Sequence, residues 1–267
     1  MEFYNVWKEL PTALDSFFDN YLCGHFHISH ISIIKYKNPL LVMLVFFYRL
    51  YKNGSKYLDL TEDVIKSLHR FFITSQLNGW DLRSYTDNFA KIIIDNSDTN
   101  SFPEKEIFEY VKNRANREIN IKEAVFRNNL WFSLKITFPH RGFEFDDDMT
   151  NRFNPELDHI FPRNLVGMDA EYKEYVDIIW NMQPIKGEVN LAKSNHHPKA
   201  FFTDAVIGEK QLTGAKYYGY YDCIPLMDSE DWDNYKVFIE NRRARMIENI
   251  KTLYDIALIP DASSTSN

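Results

Sequence analysis

Leu157-Asp158-His159-Ile160-Phe161-Pro162, followed by Trp180-Asn181-Met182-Gln183, Glu188-Val189-Asn190-Leu191 and Lys193, is the stretch on which the reading of this chain turns. Two apolar pieces, Leu157 to Phe161 and Met182 to Ile185, are each long enough for a small strand. Pro139, Gly142, the acidic run Asp146-Asp147-Asp148 and Pro155 break the helical period between Phe138 and Asn164. Asn190 falls just inside a helix predicted after the second strand. Lys193, three residues on, shares that helix face.

These residue types in this order suit the hydrolysis of a phosphodiester. Such a reaction needs a hard divalent cation to bind the scissile phosphate and offset charge on the leaving oxygen, and oxygen ligands suit that ion. A neutral imidazole must stand beside it and take a proton from water. Adjacent strand residues point to opposite faces, so an Asp-His pair can send its carboxylate to the metal and its imidazole to the water. Asn190 then brings an oxygen ligand from the helix, and Lys193 can touch phosphate.

The order Asp-His-Ile-x-Pro, then Asn, then Asn-x-x-Lys resembles the HNH, or His-Me finger, nucleases, whose finger is a β-hairpin followed by a helix. The resemblance implies that His159 is the general base and Asp158 the first metal ligand. It makes Asn181 the middle residue of the motif, orienting the histidine through loop hydrogen bonds, and Asn190 the second ligand. Mg²⁺ or Mn²⁺ is the implied cofactor. The step from Asn181 to Asn190 is similar to that in the HNH domain of CRISPR effector nucleases, whereas the loop from His159 to Asn181 is longer.

Outward from this stretch, roughly the first 135 residues read as helices. Asn38-Pro39 has the form of a cap with proline at the first helical position, and that helix is predicted to stop near Asn53-Gly54. Thr61 caps a second helix through Val64, Leu68, Phe71 and Phe72, and Ser84 opens a third through Phe89, Ile92 and Ile93. Ser101-Phe102-Pro103-Glu104 has the arrangement of a capping box before Ile107, Tyr110 and Val111. A last helix starts around Asp231 and runs through Phe238, Met246, Ile250 and Leu253. The Phe71-to-Leu77 and Phe238-to-Arg243 flanks, with the finger between them, resemble the C-terminal half of modification-dependent type IV restriction enzymes of the GmrSD type. The nucleotide- and DNA-sensing half of that family has no counterpart here, for there is no Gly-x-x-x-x-Gly-Lys loop. The resemblance therefore implies a DNA substrate, a role in defence against foreign DNA, and a separate sensor or regulatory subunit.

Composition bounds these readings. Of 267 residues, 45% are apolar and 16% aromatic, ample for a buried core. A net charge of −7 is the wrong sign for coating nucleic acid by bulk electrostatics, so any contact must be local or delivered by a partner. Cys23 and Cys223 lie far apart, which argues against a disulfide scaffold and suits a reducing cytoplasm. The N-terminus lacks a signal-peptide pattern, and the most apolar run, Pro39 to Tyr48, is shorter than the roughly 20 residues that span a bilayer. A cytoplasmic protein without a membrane span is expected.

Other groups read less sharply. Lys186, Lys193, His196, His197 and Lys199 form a local positive stretch, either a phosphate cradle or a solvated helix end. Arg163 is within reach of phosphate but also reads as a surface arginine. Cys23, His25 and His27 alternate, with His30 following. On a strand the first three would share one face, as zinc requires, yet a second, distant ligand pair is missing and ordinary histidines are the reading taken. Asp146 to Asp148 reads as a solvated turn. Arg242, Arg243 and Arg245 either clamp DNA or pair with Glu240 and Glu248 along the helix.

The expected architecture is mainly α: an N-terminal helical bundle over residues 1–137, an inserted ββα-metal (HNH) finger over 138–205, a C-terminal segment over 206–260 whose helix packs back, and a disordered tail over 261–267. The expected activity is divalent-metal-dependent endonuclease cleavage of DNA. The rivals are an RNA-cleaving toxin and a silent module that binds nucleic acid or a partner without cutting.

Overall fold

Helices dominate the computed structural model, which describes residues 10–26, 28, 34–80, 85–137, 156–166, 175–185, 187–202 and 232–260. The chain divides into two units, one made of residues 1–132 with 251–267, the other of residues 133–250. Four short strands lie among the described residues: β1 (Ile121–Lys122), β2 (Glu156–His159), β3 (Met182–Ile185) and β4 (Leu258–Ile259). The mainly α class expected from the periodicity is what is seen. No helix among the described residues is long and apolar enough to cross a membrane.

In the first unit, Asn38–Lys52 forms a helix with Pro39 in its first turn, where a missing N–H costs nothing. It ends as predicted at Asn53-Gly54, where Gly54 takes φ +79°, a conformation that a Cβ would oppose. Helices Glu62–Leu77, Thr86–Asp95 and Glu104–Arg114 follow. Ser84 lies outside the described residues, and Thr61 stands at its N-cap without making a side-chain cap bond. Arg49 ties the Asn38–Lys52 helix to the Thr86–Asp95 helix, donating from Nη1 to the Ile93 carbonyl at 2.6 Å and from Nη2 to that of Asn96. Aromatic rings fill the core: Phe47 against Phe17 at 5.3 Å, Phe26 against Phe72 at 5.2 Å, and Phe71 against Phe102 at 5.3 Å. Strands β1 and β4 pair in parallel, Ile121 opposite Leu258.

One local expectation is corrected in this unit. Glu104 does not close a capping box. Its carboxylate is buried and takes a two-pronged bond from Arg70, Nε at 2.8 Å and Nη2 at 2.6 Å. A fork of charge-assisted bonds outweighs a single cap bond. Cys23 and His25 lie on helical rather than strand backbone, which removes the alternation that put them on one face; His27 and His30 are outside the described residues.

The second unit contains the stretch that opened the sequence reading. Strand β2 pairs antiparallel with β3, placing Leu157 opposite Pro184, Asp158 opposite Gln183 and His159 opposite Met182. The two strands are those predicted from the apolar runs, and a helix, Gly187–Lys193, follows β3 directly. Phe161 anchors the end of β2 in a cluster with Phe238 at 4.8 Å, Tyr235 at 5.2 Å and His197 at 5.4 Å. The helix Tyr235–Tyr254 supplies Phe238, Met246 and Ile250 to the core of this unit. Arg242 departs from the surface reading given to the arginine cluster: it is buried, and its Nη2 donates to the Met182 carbonyl of β3 at 2.9 Å. Its position between Phe238 and Met246, at steps of four, puts it on the inward row. Asp146 to Asp148, Lys186, Asp231 and the tail fall outside the described residues.

Candidate functional site

The site is built on β2. Glu156 and Asp158 share one face of the strand and Leu157 and His159 the other, because strand side chains alternate. The helix Gly187–Lys193 lies on the Glu156/Asp158 face, with Asn190 bonded to Glu156 and Lys193 to Asp158. Strand spacing of two residues is thus matched by helix spacing of three.

Asp158 is buried and is held by two donors, Lys193 and Gln183. Lys193 Nζ lies 2.9 Å from Oδ2 and 3.2 Å from Oδ1, and Gln183 Nε2, from the directly opposed strand position, lies 2.8 Å from Oδ2. Lys193 is 0% exposed and also donates to the His159 carbonyl at 2.5 Å. Burial pushes its ammonium pKa below the ordinary lysine value, against the pull of the Asp158 carboxylate. The residue expected to reach outward to phosphate instead points inward. The reason is electrostatic: a buried carboxylate needs a paired cation.

Asn190 donates from Nδ2 to Glu156 at 2.8 Å, while the partners of Asp158 are Lys193 and Gln183. A Cβ at Gly187 would stand 2.9 Å from a carboxylate oxygen of the exposed Glu156, a contact that the end of that side chain can relieve by turning away. Glu156 and Asn190 offer carboxylate and amide oxygens of the kind that suits a hard divalent cation, whereas both Asp158 oxygens are engaged by Lys193 and Gln183. Gln183 Oε1, whose amide holds Asp158, is a buried acceptor without a hydrogen bond. Among the described residues no group of three or more His, Cys, Asp or Glu forms a metal cluster.

Asn181 is fully buried and holds the turn that follows His159. Its Oδ1 accepts from the Phe161 N–H at 2.9 Å, and its Nδ2 donates to the carbonyls of Phe161 at 3.1 Å and Val176 at 3.0 Å. Its own carbonyl accepts from the Ile160 N–H at 2.8 Å. Every polar atom of the side chain is used, as a buried amide requires.

His159, on the opposite face from Asp158, places Nε2 2.7 Å from Oδ1 of Asp177. The same oxygen takes Arg163 Nε at 3.0 Å and Nη2 at 2.8 Å. The His159 hydrogen bond, with Arg163 beside it, holds the Asp177 carboxyl below its ordinary range although burial acts against this. His196 Nδ1 donates to the Lys193 carbonyl at 2.7 Å, and the half-buried His197 packs on Phe161. Burial is the first cause that lowers the His197 pKa. Both histidines are therefore engaged within the fold.

No family model matches the chain, and neither a curated protein nor a solved structure matches it. The structure thus brings Lys193 to Asp158, Asn181 to the turn after His159, and Asn190 to Glu156. Three residues in this arrangement had no role in the sequence reading. Glu156 was signalled by its place two residues before Asp158 on the same strand face, and Gln183 by its register opposite Asp158. Asp177 stands in the loop after His159 with no spacing rule to mark it.

Proposed function

We propose that this chain is a divalent-metal-dependent endonuclease of the HNH kind, hydrolysing phosphodiester bonds in DNA. The observation that carries the reading is Asn181. Its three side-chain hydrogen bonds hold the turn after His159 from a position directly before β3, which is the role the motif gives its middle residue. The order strand, strand, helix and the separation of Asp158 and His159 onto opposite strand faces support the same reading.

In this reading Asp158 and Asn190, with the Glu156 carboxylate beside Asn190, would hold Mg²⁺ or Mn²⁺, which when bound would supply positive charge to offset that developing on the phosphate and the leaving oxygen. His159, as a neutral imidazole, takes the proton from the attacking water. Water enters in line with the P–O bond that breaks, leaving a 5′ phosphate and a 3′ hydroxyl. Lys193 balances the Asp158 charge from inside the fold and ties the helix to the strand through the His159 carbonyl.

The biological setting proposed is defence against foreign DNA, with this chain as a cytoplasmic effector controlled by a separate sensing subunit. The charge of −7 supports such control, because weak intrinsic attraction to DNA keeps a nuclease quiet until it is delivered. Supercoiled plasmid incubated with the purified chain is expected to be nicked or linearised with Mg²⁺ or Mn²⁺ and left intact with EDTA. Plasmid left intact under every metal, with single-stranded RNA cut under the same conditions, would replace the DNA substrate by RNA.

A further inference from the structure

We propose that Asp177 is the positioning residue of His159, holding the imidazole by Nε2 so that Nδ1 is the nitrogen open to take a proton. This rests on the reading of His159 as the base. The carboxylate oxygen 2.7 Å from Nε2 can only accept a hydrogen bond when ionised, so Nε2 must carry the hydrogen. In a neutral ring the other nitrogen is then the basic one. Arg163 Nε also lies 3.4 Å from Nε2, but its N–H has the nearer carboxylate, at 3.0 Å.

Asp177 is well placed to do this although its side chain is 62% exposed. Its backbone is fixed on both sides. The Tyr175 carbonyl accepts from the Tyr235 hydroxyl at 2.7 Å, the Val176 carbonyl from Asn181 Nδ2 at 3.0 Å, and the Ile178 carbonyl from the Asn181 N–H at 2.9 Å. Asn181 therefore holds the segments that carry both members of the pair: Phe161, two residues after His159, and Val176, directly before Asp177. Arg163, four residues after His159, forks two N–H groups onto the same Asp177 oxygen and keeps the carboxylate ionised and turned to the ring. The carboxylate–imidazole pair with an oriented ring is the arrangement by which a base keeps one tautomer.

An Asp177→Ala variant takes the acceptor away from Nε2, and Asp177→Asn keeps an oxygen in its place. Arg163 and Nε2 share one carboxylate oxygen, so the amide oxygen of Asn can serve both, whereas Ala leaves Nε2 without that acceptor and frees the hydrogen to sit on either nitrogen. Nitrogen NMR of histidine-labelled protein at alkaline pH, with the His159 signals assigned through a His159→Gln variant, reads the tautomer without any cleavage assay. The parent and Asp177→Asn are expected to show hydrogen on Nε2 and Asp177→Ala a mixture of tautomers, with DNA cleavage falling by at least about tenfold in Asp177→Ala and partly restored in Asp177→Asn. A wild-type tautomer in Asp177→Ala overturns the assignment, as does a changed tautomer with full cleavage. If the parent cuts no nucleic acid while the tautomer still switches, the nuclease reading fails and the hold of Asp177 on the ring stands.

Discussion

The ammonium of Lys193 lies 2.9 Å from Oδ2 of Asp158, and the pair is enclosed, with side-chain exposures of 0% and 8%. A carboxylate and an amine taken so far out of water depend on one another, since either alone is a desolvated charge. The ion pair therefore joins β2 to the helix Gly187–Lys193 as well as setting the charge of the candidate site.

Removing the cation should cost stability. Lys193→Met leaves the Asp158 carboxylate buried with Gln183 as its donor, and unfolding in urea is expected to show a loss of about 3 kcal/mol. Asp158→Asn strands the ammonium with a similar loss. The double variant Asp158→Asn/Lys193→Met removes both charges and should recover at least about half of either single loss. Additive losses would show that the pair is not coupled.

Asn181→Ala should destabilise the second unit and misplace the turn after His159. Three buried hydrogen bonds disappear, leaving the Phe161 N–H and the carbonyls of Phe161 and Val176 unsatisfied. At about 1 kcal/mol or more for each, the cost is about 3 kcal/mol. Amide exchange at Phe161 is the local readout, and unchanged protection there would show that another group holds the turn.

A titration that bears on stability lies in the first unit. His69 is buried among Tyr21, His25, Phe26 and Tyr254, and neither ring nitrogen has a hydrogen-bond partner. Burial, then the nearby His25 and Arg70, lowers its pKa from 6.5 to about 3. A histidine with a depressed folded pKa stays neutral in the native state while the unfolded chain takes up a proton. Stability is therefore full above pH 6.5 and falls as pH drops from 6.5 towards about 3. Between pH 7 and pH 5 the loss from this group is about 2 kcal/mol by linkage. His69→Phe, which keeps the ring contacts without the proton site, is expected to remove that part of the acid sensitivity in urea titrations at the two pH values. An unchanged pH dependence would place it on other groups.

Asn190→Ala should act on cleavage through metal binding, and Asp158→Ala through metal binding together with the stability lost when the buried Lys193 is left without its carboxylate. Their activity is expected to fall by at least about tenfold at low Mg²⁺ and to recover in part with excess Mn²⁺. Calorimetric titration with Mn²⁺ checks this apart from activity, and wild-type affinity in both variants would remove them from the ligand set.

Much of this site was legible because its residues lie in short, regular elements. Asp158 and His159 are adjacent on a strand and Asn190 and Lys193 three apart on a helix, so element period alone assigns their faces. The direction of Lys193 was not legible, because helix spacing says which residues share a face but not what that face meets. Arg242 was hidden by its neighbours Arg243 and Arg245, although its step of four from Phe238 and Met246 marks it as inward. Glu104 matched a capping pattern, but Arg70, distant in sequence, offered two bonds where the cap offered one. Asp177 meets His159 through a loop rather than a regular element, and no local rule carries that contact.

The most direct measurement is cleavage of supercoiled plasmid in Mg²⁺ or Mn²⁺ by the parent chain and by His159→Ala, with circular dichroism and melting curves showing that both are folded. Nicking or linearisation by the parent that EDTA stops, and that the variant lacks by about 100-fold or more, is the expected result. Equal cleavage by a folded His159→Ala protein would contradict the assignment of His159 as the base.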